Sequence, residues 1–264
     1  MDEAPPQPPV SEVALSVAII RQDDLIGPLL PQILGEWFAD HPQVQQAPPY
    51  EIPVEPPAGK LRPAQGARLE LVTENLKPRY WFISSDGEEV VQVQDNYLAL
   101  NWRRRSATQK YVSYDTLRTR FAGLTRTVEE NLSKRGGGVH ALRVELTYIN
   151  VIEPNNLWHD TNQTHEIISI RPPQSDYEHL AASYTRLVTM EGRTAGRLHV
   201  NLVPGWDWEK DEPRLGLNLT ARSTELSKNS MDEALQFLDH AHGEVGSTFL
   251  SLLTPAARNV WGLQ

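Results

Sequence analysis

Hydrophobic and polar positions alternate along several short stretches of the chain and recur at helical spacing along two long ones. From Ser11 to Arg21, Val13, Leu15, Val17 and Ile19 alternate with other residues, the period-two signature of a strand. A short helix is predicted over Asp24–Phe38, with Pro28 and Pro31 placing its firm start after the first turn. Residues 42–67 carry prolines at 42, 48, 49, 53, 56, 57 and 63 and predict an extended, polyproline-like excursion instead of a helix or central strand. Three strands in a meander follow at Arg79–Ser85, Glu89–Gln94 and Tyr97–Arg103. Asp86-Gly87 and Asp95-Asn96 sit where tight hairpin turns are needed.

Tyr114, Leu117, Phe121, Leu124, Val128 and Leu132 fall on one face of a helix over Tyr114–Leu132, which Gly136–Gly138 then breaks as a hinge or linker. Leu142–Ile152 alternates as a long half-buried strand. A short helical or irregular stretch runs to Ile170 and ends at Pro172-Pro173. Strands are expected at Ser183–Met190, Arg197–Val203 and Leu215–Arg222. A helix over Met231–Leu253 closes the chain, with Ser230 as N-cap and Asp232 and Glu233 in its first turn.

Each half therefore reads strand, short helix, meander, long helix, starting near Ser11 and near His140. This predicts an α+β protein of two similar halves, each an antiparallel β-meander sheet packed against a long amphipathic helix. The units are 11–134, with the proline-rich insertion 42–67, and 139–264, packed as one body behind a disordered N-terminus, 1–10. The halves share element order, not sequence, so coincidence remains the alternative.

At 264 residues the chain is long enough for a sizeable core, and the absence of cysteine excludes disulfides, thiolate catalysis and cysteine-ligated metals. The net charge of −9 argues against a globally basic nucleic-acid binder. The opening MDEAPPQPP lacks the basic and apolar regions of a signal peptide, and apolar runs such as Val17–Ile20 are far too short to span a bilayer. These features predict a soluble cytoplasmic protein without a membrane partner. No Walker-type loop, GxGxxG, GxSxG, HExxH or EF-hand pattern occurs, so no cofactor and no catalytic or metal-ligating set is assigned.

Several segments carry recognisable text: Val90-Val-Gln-Val-Gln-Asp-Asn-Tyr-Leu-Ala-Leu-Asn-Trp-Arg-Arg, Tyr114-Asp-Thr-Leu, Leu146-Thr-Tyr-Ile-Asn, Leu238-Asp-His-Ala-His-Gly-Glu-Val, and Phe249 through Trp261-Gly. In order and spacing, over nearly the whole chain, they resemble a family of conserved hypothetical proteins distributed sporadically among bacteria and archaea. The resemblance implies no established reaction. A patchy distribution suggests accessory loci such as toxin–antitoxin or phage-defence modules. The insertion at 42–67 departs from the family pattern.

Six groups of residues carry candidate chemistry. On the last helix, Leu235, Leu238, His242, Val245, Phe249 and Leu252 form an apolar stripe, with Asp239 at its edge, close enough to pair with His242. That pair could serve as an oriented general base. A satisfied core histidine is the simpler reading, because no nucleophile or second ligand is assignable. His159, Asp160, His165 and Glu166 match no metal template and read as a solvated loop, and His240 with Glu244 is an incomplete metal pair.

Residues 101–128 hold seven bases, among them Arg103, Arg104 and Arg105, against the single acid Asp115, a net of +6 interleaved with Trp102, Tyr111 and Tyr114. That composition suits an anion or nucleic-acid site. Arg118, Arg120 and Arg126 spread around the predicted helix, however, which favours a solvated face and makes nucleic acid an unfavoured partner. Trp206 and Trp208 stand among four acids on a predicted hairpin loop, and either fold back on the core or form a contact patch. Asn101 and Asn150 end two strands, where turn closure competes with a ligand contact.

Two functions are expected from these residues. The first is a non-catalytic protein-interaction component, an antitoxin or accessory subunit meeting a protein partner or a second copy of itself in a homodimer. The second is a small-molecule-binding domain with a cavity between sheet and C-terminal helix, into which His242, Asn150 and Trp102 would point. A hydrolase built on His242 and Asp239, and a nucleic-acid binder using 101–128, are the further alternatives.

Overall fold

The computed structural model describes residues 7–57, 59, 77–106, 109–170 and 179–263. The strand β1 (Val10–Ile19) pairs with β5 (Tyr97–Arg103) on one side and β6 (Ala141–Ile152) on the other, all antiparallel. Outward from β5 come β4 (Glu89–Gln94), β3 (Arg79–Ile83) and the edge strand β2 (Gln43–Ala47). Outward from β6 come β9 (Glu212–Ser223), β8 (Arg193–Asp207) and β7 (Ala182–Met190). The result is a single nine-stranded sheet.

This corrects the expectation of two sheets. The opening strands of the two predicted units, β1 and β6, are hydrogen-bonded neighbours, and one buried cluster runs from Val10 to Ala257 through both. Pairing these strands satisfies backbone groups that separate sheets would leave at two open edges.

Directly opposed residues share a face, so the register shows what each face holds. Leu15, Leu100, Leu146, Leu219 and Val200 lie on one face and are buried. Ser16, Ala99, Glu145, Arg222 and Arg197 lie on the other. The first face carries α3 (Tyr114–Ser133) and α5 (Met231–Leu252).

The α3 helix begins at Ser113, whose hydroxyl accepts the Thr116 amide, and buries the stripe read from the sequence. It ends where Gly136 adopts φ 80° and the Gly137 amide reaches Leu132 O, so the predicted glycine hinge is a helix stop. Ser230 caps α5 in the same way. The buried stripe of α5 is Ala234, Phe237, Leu238, Ala241, Val245, Thr248 and Leu252, rotated from the predicted one so that Leu235, His242 and Phe249 stand at its edge. The small side chains of Ala234 and Ala241 let the helix lie close to the sheet, over Gly196, where an added Cβ would fall 2.9 Å from the Phe237 ring.

Other differences are local. The predicted helix over 24–38 is a 3-10 turn (Asp23–Ile26) followed by α1 (Leu30–Leu34) and α2 (Glu36–Asp40), parted by Gly35 at φ 59°. Gln43–Ala47, inside the proline-rich stretch, forms an edge strand, the one sheet position where flanking prolines leave no ladder bond unmade. Residues 7–10, expected to be disordered, are tied down: Gln7 donates to Trp261 O, and the Val151 amide to Pro9 O. Residues 1–6, Pro63 and Pro172-Pro173 lie outside the described residues. After β6 come a 3-10 turn (Thr161–Gln163), α4 (Thr164–Ile167) and, beyond α5, α6 (Pro255–Val260). No described helix is long and apolar enough to cross a membrane.

Candidate functional site

Where α5 meets the start of α3 over β6, five aromatic rings converge. Tyr148 rises from the helix-covered face of β6, because its neighbours in register are the core residues Val13 and Leu219. Its hydroxyl lies 3.1 Å from His242 Nδ1 and 3.3 Å from the Tyr111 hydroxyl. The His242 imidazole stacks on the Tyr114 ring at 4.0 Å and 5°. Tyr111 meets Trp102 edge to face at 5.6 Å.

The expected Asp239–His242 pair is not formed. The Tyr114 hydroxyl donates to Asp239 Oδ1 at 2.9 Å, and Arg118 takes both Asp239 oxygens at 3.1 and 3.0 Å. On a helix, residues three apart are neighbours, yet Tyr114 stands between these two, touching one with its hydroxyl and the other with its ring. His242 is therefore not oriented by a carboxylate, and the hydrolase reading loses its dyad.

Beside His242 lies a partly open cavity of about 240 Å³. Val10, Leu219, Val245, Phe249 and Leu250 make its apolar walls, while Tyr111, Tyr148, Asn150 and His242 supply its polar end. Burial pulls the His242 pKa below its ordinary value, against the smaller opposing effect of Asp115 and Asp239. Burial first, then the neighbouring Tyr111, raises that of Tyr148. At neutral pH the relay Tyr111–Tyr148–His242 is thus uncharged, and it is complete in either proton direction. His242 Nε2 makes no bond to another described residue, so it can give or accept one hydrogen bond within the cavity. Such a geometry suits an apolar molecule with one polar end.

The sequence candidates fall in different places. Asn150 lines the cavity, and its amide donates to Leu217 O at 2.8 Å, bridging two strands. Trp102 does not line it: buried on the same face, it borders a separate cleft near Glu89. Arg103 donates to Gly87 O and Arg104 to Pro8 O, and the Arg105 amide to Gln109, so these three brace loops. Arg118 and Arg120 pair with Asp239 and Glu89, acids from outside the basic stretch, which removes much of its local excess. Asn101 bonds Gln92 and Glu12 on the open face.

Trp206 and Trp208 do not fold back onto the core: they are 45% and 86% exposed, 6.4 Å apart, with Trp206 Nε1 bonded to Asp211. They sit on the outer part of the β8–β9 hairpin. Pairing of β6 with β9 ends at Ile152–Leu215 and that of β7 with β8 at Ala182–Leu202, so 203–214 projects as a two-stranded arm beyond its described neighbours. Asp160 caps its own 3-10 turn and His165 faces Glu166, a loop arrangement. Glu244 is shared between His240 and Arg186. Among the described residues no group of three or more His, Asp or Glu could hold a metal ion.

Two polar clusters escaped the sequence reading, because their members are far apart in the chain. His41 bridges Trp37 O and Glu89, at 2.8 and 3.0 Å, and Arg120 grips the same carboxylate at 2.5 Å. Across the sheet, Glu55 meets Arg197, His199 and Arg222 at 3.2, 2.8 and 3.0 Å, and Arg222 also binds Glu145 at 2.7 Å. The period-two placement of Arg197 and His199 in β8 was the available signal: an arginine and a histidine on alternate positions of an interior strand need partners. No family model, curated protein or solved structure matches this chain.

Proposed function

We propose that the protein works by binding a small, mostly apolar molecule between its sheet and α5, held at one end by His242 and Tyr148. One observation carries this: an apolar-walled cavity of about 240 Å³ with a neutral, hydrogen-bonded His–Tyr–Tyr relay at its end. Dry cavities of about 150 Å³ already take up benzene. The space suits a bicyclic aromatic or a short alkyl chain bearing one hydroxyl or carbonyl. Calorimetric titration with 1-naphthol and with naphthalene tests it: naphthol is expected to bind more tightly, and His242→Phe to remove the difference. Equal affinity of the wild-type chain for both would refute the assigned polar end, and no uptake of either would refute the cavity.

A second reading, protein contact, is supported by the 203–214 arm with its two exposed tryptophans among acids. Aromatics exposed to this extent are characteristic of contact patches, and the acids around them favour a basic partner. An accessory or antitoxin role in a defence locus rests on the resemblance of the quoted segments alone. A homodimer, in which the basic 101–128 stretch would meet the acidic arm of a second copy, is supported by charge complementarity between the two segments. We also infer that the chain is an internal duplication. Its support is the matched order of elements on either side of the β1–β6 seam: strand, short helix, meander, long helix.

A further inference from the structure

The face of the sheet away from the helices is crossed by residues 48–57, five of which are proline. This strap crosses the strands and touches six of them. The Tyr50 amide and carbonyl bond the Gln94 side chain of β4 at 2.8 and 3.1 Å, and its ring packs edge-on against Tyr97 of β5 at 5.1 Å. Its hydroxyl reaches Glu145 of β6 at 3.0 Å. Ile52 is buried against Ala18 of β1 and Ala99 of β5, whose small side chains leave a notch for it. Glu55 then enters the Arg197–His199–Arg222 cradle of β8 and β9, and Arg197 also takes Pro57 O at 3.0 Å. Five strand spacings of about 4.8 Å make about 24 Å, and the seven steps from residue 50 to residue 57 at about 3.1 Å each cover about 22 Å in an extended chain, the remainder being within the reach of its side chains.

Three properties mark it as an occupant of the face more than as a part of the sheet. Among the described residues, 48–57 make no backbone–backbone hydrogen bond, so side chains alone hold the strap. One of its anchors is a buried charge pair: the Glu55 and Arg197 side chains are 4% and 1% exposed. Burying such a pair adds little stability over an apolar contact but much selectivity for the partner that completes it. Without Glu55, Arg197 and Arg222 would share the single carboxylate of Glu145, leaving the Arg197 guanidinium, 1% exposed, without an anion to face.

We propose that this face is a recognition groove for an extended acidic peptide of a partner protein, and that residues 48–57 are its built-in occupant. The resident side chains state the chemistry of the segment that would replace them. It carries an aromatic residue for the Tyr97 shelf, an aliphatic residue two positions on for the Ala18–Ala99 notch, and a carboxylate five positions on for the arginine cradle. This groove lies on the opposite side of the sheet from the His242 cavity and does not depend on it.

The test uses a fluorescent peptide of residues 48–57 as probe against the full-length chain, read by anisotropy. In the wild-type chain the tethered strap competes at a millimolar effective concentration and keeps probe binding weak. Glu55→Ala in the protein is expected to strengthen probe binding at least about tenfold, the worth of one charge-assisted anchor. A probe carrying the Glu55→Gln change is expected to bind that variant about tenfold more weakly than the native probe. Should Glu55→Ala fail to fold, Ile52→Ala, which leaves the ion network intact, must produce the gain instead. Affinity no higher in either folded variant, or equal binding of the native and Gln probes, would overturn the proposal. So would displacement of the probe by inorganic phosphate as readily as by unlabelled peptide, which would make the cradle a simple anion site.

Discussion

Gly246 lies in the middle of α5 on the wall of the cavity, and a Cβ built there meets no atom within 4 Å. A leucine at this position has two effects of the same sign. Replacing an interior helical glycine by a good helix former contributes about 0.8–1 kcal/mol. Burying the isobutyl group at about 0.8 kcal/mol per methylene would add up to about 3 kcal/mol, and a position on a partly open wall delivers about a third to a half of that. The sum is about 2 kcal/mol. For a chain of this size each kcal/mol raises Tm by about 2–4 °C, so Gly246→Leu is expected to raise it by about 4–8 °C. Gly246→Ala, with the propensity gain alone, should raise it by about 2–4 °C.

The functional consequence separates the two variants further. At about 30 Å³ per heavy atom, the four added carbons take up about 120 Å³, close to half of the 240 Å³ cavity. Gly246→Leu should therefore abolish 1-naphthol uptake in the calorimeter while Gly246→Ala retains most of it. A leucine variant that melts lower than wild type, or that binds naphthol unchanged, would show that the space beside His242 is not the ligand cavity described here.

Three further outcomes follow from particular contacts. Gly196→Ala places a Cβ well inside van der Waals range of Arg222 O and 2.9 Å from the Phe237 ring, so α5 must lift from β8; the expected loss is about 3 kcal/mol, read as a fall in the urea midpoint. Because burial depresses the His242 pKa, the unfolded chain takes up the proton first as pH falls below about 6.5, and this group's contribution to stability, full above that pH, declines toward its folded value. Urea titrations of wild type and His242→Phe should converge or cross as pH is lowered through that window; parallel curves would contradict the assignment. Trp208→Ala, at an 86% exposed site, should shift stability by no more than about 0.5 kcal/mol, while removing any partner recovered with the wild-type chain from a host lysate. A large loss of stability would mean that the arm is a packing element.

The aromatic relay shows how far the sequence could be followed toward a site. His242 was legible as an unusual residue in an apolar stripe; Asn150, expected to end its strand, lies inside β6, which continues to Ile152. The partner of His242 was misassigned, since spacing along one helix reports which residues are near each other and not what is packed between them. Tyr114 opens a different helix, and its ring occupies the position that Asp239 was expected to hold. Trp102 failed in a related way. Its burial followed from the pattern, but which of two hollows on that face it borders depends on how α3 crosses the sheet.

Taken by itself, the chain determined what depends on near neighbours: every strand but β2 and both long helices, the cap at Ser230, and the exclusion of thiol chemistry. Period-two and 3.6-residue patterns record the burial of single elements, and most were read close to their limits, although β8, expected over 197–203, runs Arg193–Asp207. Tertiary structure alone decided that β1 and β6 join the two units in one sheet, that Glu55 crosses to Arg197 and Arg222, and that Tyr114 parts Asp239 from His242. Each of these is a contact between residues separated by more than a hundred positions along the chain. Strand order and ion pairing across a sheet are settled by which unsatisfied edge or buried charge finds its complement, and no local period encodes that choice.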